Sequence, residues 1–395
     1  FRAFGIRPPP AGAGAQRGLL PEPPTRMISD PGLASWLQLT LAPGLGAATL
    51  RKLLSQFGLP EKILAASRAE LARFASAEAL QALDSDPVAK AVERALTWLE
   101  QPGNIIVTLA DAAYPKLLLE ITDPPAVLYC RGRTDLLNKP ALALVGSRNA
   151  TAQGNSNAEQ FARSFSTAGL TIVSGLAQGI DAAAHRGGLA GEGSTIAVLG
   201  TGVDITYPQG NAALAAEIAA RGLLLSEFPL GTKALAHNFP RRNRLISGLS
   251  QGCLIIEAAL ASGSLITARA SAEQGREVFA VPGSIHSPLS KGCHALIKAG
   301  AKLVESAEDV LAELSAFSRT GLASSRAAAR ATVASGSTAG ADEPLLACMG
   351  FDPVDVDSLC ARAGLPAERI SAELLRLELA GHVAVLPGGL YQRLN

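Results

Sequence analysis

The chain has 395 residues, 35 basic against 34 acidic for a net charge of +1, and 48% of it is apolar with only 17% charged. That length accommodates two or three domains with a full-sized core, and the apolar balance excludes a disordered chain. The near-zero charge excludes a polyanion binder working through its overall field, so a nucleic-acid site has to come from local clustering.

The first 28 residues are rich in proline, glycine and arginine and are expected to form a disordered tail. An arginine-containing start raises a targeting segment, but no continuous apolar stretch follows it. Residues 29–103 repeat apolar side chains at three- and four-residue spacing and predict a small helical domain. Within it, Pro43-Gly44-Leu45-Gly46 resembles the turn of a SAM-like or helix-hairpin-helix-like unit. Backbone amides there can seat an anion; a purely structural unit is at least as good a reading, since the nearby charges are only Arg51 and Lys52.

From 104 to 314, β-rich runs alternate with helical patterns. Strands are predicted at 105–109, 126–130, 141–145, 171–174, 195–199, 223–226, 253–257 and 277–281, with a weaker one at 302–304. Most are unbroken apolar runs, as expected where helices cover both faces of a sheet. Together with 39 glycines for tight turns, they predict an extended Rossmann-like, doubly wound α/β domain. Residues 315–341 lack periodicity and read as a flexible linker. Residues 342–395 predict three helices and a hairpin around Pro387-Gly388-Gly389, a winged-helix domain. Its third helix sets Glu368, Glu373 and Glu378 against Arg369 and Arg376. That is no basic face for a major groove, and DNA and protein contacts both stay open.

The five cysteines, Cys130, Cys253, Cys293, Cys348 and Cys360, contain no Cys-x-x-Cys pair. They read as reduced thiols of a cytoplasmic protein rather than a disulfide frame or a zinc site. No apolar run reaches the length of a bilayer span.

The densest chemistry lies in Phe239-Pro240-Arg241-Arg242-Asn243-Arg244. Guanidinium forks match phosphate oxygens and a ring face accepts any base, so the run is expected on a loop lining a nucleic-acid groove. Glycine-rich turns follow the predicted strands. Gly146-Ser147-Arg148 offers a tight turn, a hydroxyl, backbone amides and a cation for a phosphate. In the stretch from Ser174 to His185, Asp181 and His185 share one helical face. With no further ligand near them, a hydrogen bond between the two that braces the helix is a better reading than a metal or general-base pair. Tyr207-Pro208 closes a third loop and is expected to pack structurally.

Enzyme signatures fail. No Gly-x-Gly-x-x-Gly opens a helix after a strand, and the absence of any Gly-Lys dipeptide excludes a P-loop. Gly248-Leu249-Ser250-Gln251-Gly252 matches a nucleophile-elbow string but precedes its strand instead of following one. No catalytic residue, metal ligand or cofactor is assigned.

The ordered set 146–148, 174–185, 239–244, Glu257-Ala258, 262–268 and Val281-Pro282-Gly283 resembles the DNA-processing protein A (DprA/Smf) family. The resemblance is dense over about 105–314 and looser at both ends. It implies an extended Rossmann fold that binds single-stranded DNA without catalysis, a homodimer, loading of RecA recombinase, and a role in natural transformation. It also implies that Gly146, Ser147, Arg148, Lys233, Phe239, Arg241, Arg242, Asn243 and Arg244 line the DNA groove. Ser262, Gly263, Ser264 and Thr267 would hold phosphate at a helix start. The sequence departs from the family before the Phe-Pro element, where only Lys233 is plainly basic, and at Gln178, where many relatives carry arginine. A different class, a nucleotide-processing enzyme of the related phosphoribohydrolases, needs an acid facing a pocket. Glu257 is the candidate, and a structural carboxylate ordering Arg244 or a helix N-terminus is the alternative for it.

Overall fold

A computed structural model describes residues 31–321, 344–386 and 388–394 of the chain. The expected tail at 1–28 and most of the expected linker lie outside them. The front end is helical: α1 (Pro31–Leu41), α2 (Ala47–Phe57), α3 (Pro60–Ala65), α4 (Arg68–Leu71), α5 (Ala77–Ala82) and α6 (Asp86–Leu99). Short helices survive here because their ends are satisfied. Ser67 and Glu70 form a reciprocal capping box on α4, and Ser76 caps α5. Leu39, Leu50, Leu53, Ile63 and Leu71 interlock beneath them.

The sheet follows. β1 (Asn104–Thr108) and β2 (Val127–Gly132) are antiparallel to each other. The alternating units then run β3 (Ala141–Val145), α7 (Ala152–Thr167), β4 (Thr171–Ser174), α8 (Ile180–Leu189), β5 (Thr195–Val198), α9 (Ala212–Arg221) and β6 (Leu223–Ser226). They continue with α10 (Asn238–Gly248), β7 (Gly252–Ile255), α11 (Ser264–Glu273), β8 (Glu277–Ala280), α12 (Lys291–Lys298), β9 (Lys302–Leu303) and α13 (Ala307–Gly321). The order across the sheet is β1-β2-β6-β5-β4-β3-β7-β8-β9, parallel from β6 to β9. The chain leaves β3 toward β6, then returns to place β7 on the other side of β3. That reversal opens a crevice at the carboxyl ends of β3 and β7, where such sheets take ligands.

Every residue of β3 is buried, with its side chains alternating between two cores. Leu142 and Leu144 join Ala158, Phe165 and Ala184 of α7 and α8 on one face. Ala141, Ala143 and Val145 meet Leu245 of α10, Leu249 just after it, and Leu265 of α11 on the other. A third cluster joins Trp36, Leu37 and Trp98 of the front end to Ile106, Val127 and Tyr129 of the antiparallel strands. The helical front end is thus docked on the sheet through shared core.

Helix α13 continues through Gly321, past the boundary expected at 314. No proline or glycine interrupts Ser315-Ala316-Phe317-Ser318-Arg319-Thr320, so nothing local stops the helix there. The tail comprises α14 (Pro344–Met349), β10 (Val354–Asp355), α15 (Val356–Ala363), α16 (Ala367–Leu379), β11 (Val383–Leu386) and β12 (Leu390–Arg393). It is a winged helix with its own core, from Leu345 through Leu359 and Leu374 to Val383.

Candidate nucleic-acid interface

The parallel strands deliver their loops to one edge, and the edge is braced from within. After β4, Asp181 accepts the amides of Gly175 (3.1 Å) and Ala177 (3.3 Å). The amide between them, Leu176, goes to His185 Nε2 at 3.3 Å. Thr195 Oγ1 donates to the Ile172 carbonyl and so accepts from His185 Nδ1–H at 2.7 Å, which sets the imidazole tautomer. Asp181 and His185 therefore share a face without bonding each other, contrary to expectation. Three successive amides after β4 and a buried threonine were better placed for them than they were for one another. Burial, with the positive charges of Arg242 and Arg186, pulls His185 down to about 3, so it is neutral at physiological pH.

The turn after β3 is equally committed. The Ser147 amide donates to the Glu257 carbonyl at 2.8 Å across the crevice, the Ile180 amide takes the Ser147 carbonyl at 3.1 Å, and Ser147 Oγ accepts the Asn149 amide at 3.2 Å. Ser147 is buried and Gly146 half-buried, which leaves Arg148 as the side chain the turn presents outward. Glu257 accepts the Thr151 amide at 2.9 Å and the Thr151 hydroxyl, capping α7. It is the carboxylate of a helix N-terminus, the structural alternative weighed for it. Two places where this kind of fold can seat a phosphate are thus filled by the chain's own carboxylates, Asp181 and Glu257.

The Phe-Pro-Arg-Arg-Asn-Arg run forms the first two turns of α10, where a loop was expected. Pro240 is in the first turn, where a missing N–H costs nothing, and the apolar residues that signal the helix, Leu245 and Ile246, come only after the polar run. The helix sorts the run by face. Phe239 is half-buried, resting on Gly200, where a Cβ would come 2.8 Å from its ring. Arg241 is exposed, over the Phe228 ring at 5.4 Å and 3.2 Å from Glu227 Oε2. Arg242 turns inward, 4% exposed, and donates to the carbonyls of Gly175 (2.7 Å) and Val198. Burial pulls its guanidinium down to about 10, with Asp181 beside it acting in the opposite sense. Asn243 accepts from Arg242 Nε at 3.2 Å. Arg244 pairs with the buried Glu227 and donates to the Asp123 carbonyl, while Asp123 also pairs with Arg51 of α2. Burial raises Glu227 above the usual carboxylate range, and Arg244 and Arg241 oppose that shift.

Arg242 is consequently held inside the protein by the carbonyls at the ends of β4 and β5, Arg244 by the Asp123 carbonyl and the Glu227 carboxylate, and Asn243 is half-buried against Arg242. Thr267 is likewise turned into the core, 1% exposed. At the start of α11, Ser262 and Ser264 share a hydroxyl contact at 2.7 Å beside the exposed Gly263. Lys233 is exposed on the loop between β6 and α10.

Three side chains converge. The Arg148 guanidinium carbon lies 5.9 Å from the centre of the Phe239 ring, and the Tyr207 ring centre is 5.6 Å from that of Phe239 with the planes inclined at 43°. Tyr207, expected to pack within its loop, is exposed. An aromatic in a loop leaving the carboxyl end of a strand was the available signal.

Comparison with known proteins agrees with this architecture. Residues 105–315 match the model for DNA recombination-mediator protein A, and residues 327–389 match the DprA winged helix domain. Protein Smf of Escherichia coli K12 is 45% identical over 307 residues, 78% of this chain and 82% of that protein. DNA processing protein DprA of Streptococcus pneumoniae R6 is 49% identical over 206 residues, 52% of this chain and 73% of its own length. The X-ray structure of DNA processing protein A from Streptococcus pneumoniae aligns with a TM-score of 0.62 at 39% identity, over 70% of this chain and 95% of that one. With the sheet and the winged-helix tail each matched by a model of one family, and relatives of that kind covering most of the chain, the chain belongs to the DNA recombination-mediator protein A family of DprA and Smf proteins.

Proposed function

We propose that the chain binds single-stranded DNA at the carboxyl edge of its sheet, performs no catalysis on it, and hands the strand to RecA recombinase during natural transformation. The observation that carries this reading is Arg148 set 5.9 Å from the centre of the Phe239 ring at the switch-point edge. It puts a cation for a phosphate beside a ring for a base. A single strand offers both groups at once, whereas a duplex offers the phosphate and keeps its bases paired.

A binding role is supported over a nucleotide-processing one by what the carboxylates do. Glu257 holds the start of α7 and Asp181 holds the loop after β4, so neither is poised over an open pocket. Membership in a recombination-mediator family supports the hand-over to RecA. Leu260, Ile266 and Ile285 are exposed on the elements that follow β7 and β8, apolar surface that suits a homodimer contact. Free cysteines, three of them buried, suit a reducing cytoplasm. Among the described residues, no helix is long and apolar enough to cross a membrane.

The test is a titration of labelled single-stranded and duplex oligonucleotides with wild type and Arg148→Ala, at two salt concentrations, alongside a nucleotide-hydrolysis assay. Arg148→Ala is expected to weaken single-strand binding and to flatten the log–log salt slope by about 0.7, the share of one phosphate. No turnover is expected. A folded Arg148→Ala with wild-type affinity and slope removes the reading.

A further inference from the structure

We propose that Tyr207 is the second stacking ring of this interface, and that its inclination to Phe239 restricts the platform to unpaired bases. The inference rests on the single-strand reading above and adds the residue that decides between single and double strands.

Tyr207 is 49% exposed, in a loop whose aliphatic side chains Leu199 and Val203 are buried and Ile205 is half-buried. An exposed ring has given up the burial that usually stabilises it, and this one is held where it is. The loop from β5 to α9 is tied at both ends. Thr201 Oγ1 donates to the Ile205 carbonyl at 2.6 Å, and the Gly202 amide to the Thr232 carbonyl at 2.9 Å. Past the tyrosine, Asn211 Nδ2 donates to the carbonyls of Leu176 (2.9 Å) and Ala177 (3.1 Å), in the loop that Asp181 and His185 hold. Phe239 is fixed by the anchored α10 and by its rest on Gly200 of the loop from β5 to α9. Both rings thus meet an incoming strand already placed, which spares the ordering cost of binding.

The angle supplies the selectivity. In a duplex, consecutive bases lie parallel, about 3.4 Å apart along the axis. Two rings whose centres are 5.6 Å apart and whose planes diverge by 43° cannot both lie flat on such a stack. Consecutive bases of a single strand swing apart at little cost, so each can cover one ring while Arg148 meets the phosphate between or beside them. Duplex DNA is left with the phosphate contacts alone.

The test uses the full chain with a labelled oligodeoxythymidylate and a duplex of equal length, comparing Tyr207→Ala, Tyr207→Leu and Tyr207→Phe. The alanine and leucine variants are expected to lose about 5- to 140-fold in single-strand affinity, the worth of one stacked base, with duplex affinity held within about twofold since it rests on phosphates. Tyr207→Phe keeps the ring and is expected to bind as wild type. The leucine variant keeps apolar bulk, so its loss would report the ring and not the fold. Wild-type single-strand affinity in folded Tyr207→Leu while Phe239→Ala is impaired overturns the inference and spares the single-strand reading. Equal losses on both substrates overturn it too. Insensitivity of single-strand binding to both Phe239→Ala and Arg148→Ala removes the reading and the inference together.

Discussion

Asp181 and Arg242 grip the two ends of one residue. The Asp181 carboxylate accepts the Gly175 amide at 3.1 Å, and the Arg242 guanidinium donates to the Gly175 carbonyl at 2.7 Å. Asp181 comes from α8 and Arg242 from α10, so the loop after β4 is clamped between the helix that follows it and the helix that carries Phe239. A Cβ on Gly175 would lie 2.6 Å from the guanidinium, which is why glycine stands there.

Arg242→Met is expected to destabilise the fold by about 3–5 kcal/mol, since it strips the buried Asp181 of its countercharge and leaves two strand-end carbonyls without a donor. Urea unfolding measures it. A variant with the wild-type midpoint would mean that the clamp contributes little and that Arg242 is free to serve DNA.

Phe239→Ala is expected to cost about 1–3 kcal/mol in single-strand binding if its ring stacks on a base. The ring also rests on Gly200, so some thermal stability goes with it. Comparing melting curves with titrations below the transition separates the two. Binding that falls only in proportion to the folded fraction would make Phe239 a packing residue.

Stability should respond to pH through His185. Its folded value of about 3 lies below the ordinary 6.5, so the neutral ring is favoured in the fold. The contribution is whole above pH 6.5 and is lost as pH falls toward 3, at up to about 1.4 kcal/mol per pH unit. Protonation would also take the Nε2 lone pair that holds the Leu176 amide. Chemical denaturation at pH 7.5, 6 and 5 should therefore show a steeper decline for wild type than for His185→Gln; parallel declines would mean another group governs the acid limb.

Ending the chain after Gly321 removes a winged helix whose core is self-contained. Its hydrogen bond to α7, from Gln153 Nε2 to the Leu394 carbonyl, is long, at 3.5 Å. The shortened protein is expected to keep single-strand affinity within about tenfold, or 1.4 kcal/mol. Starting the chain at 104 has the opposite outcome, because it uncovers Ile106, Val127 and Tyr129 by removing Trp36 and Trp98. Titration and melting of the two truncations check both statements, and an inverted result would place the DNA site in the tail.

Strand positions were legible in the sequence because a strand covered on both faces writes itself as an unbroken apolar run, and β3, β4 and β6 fall where those runs lie. The glycine turns at the carboxyl ends, the winged-helix tail and the family were legible for the same local reason, each being carried by residues close in sequence. The roles inside the Phe-Pro-Arg-Arg-Asn-Arg run were not. Adjacent arginines look alike in sequence, and what separates them is helical phase and distant partners. Arg242 bonds carbonyls 67 and 44 positions away, and Arg244 reaches a carbonyl 121 positions away. Tyr207, from the loop after β5, and Phe239, from the first turn of α10 after β6, likewise meet only when β5 and β6 lie side by side. Local pattern determines which elements form, since burial on one or two faces sets the period of apolar residues. Which cation faces solvent and which is drawn inward is decided by the tertiary structure alone, because desolvating a charge is tolerable only where the fold has already brought carbonyls or carboxylates to receive it.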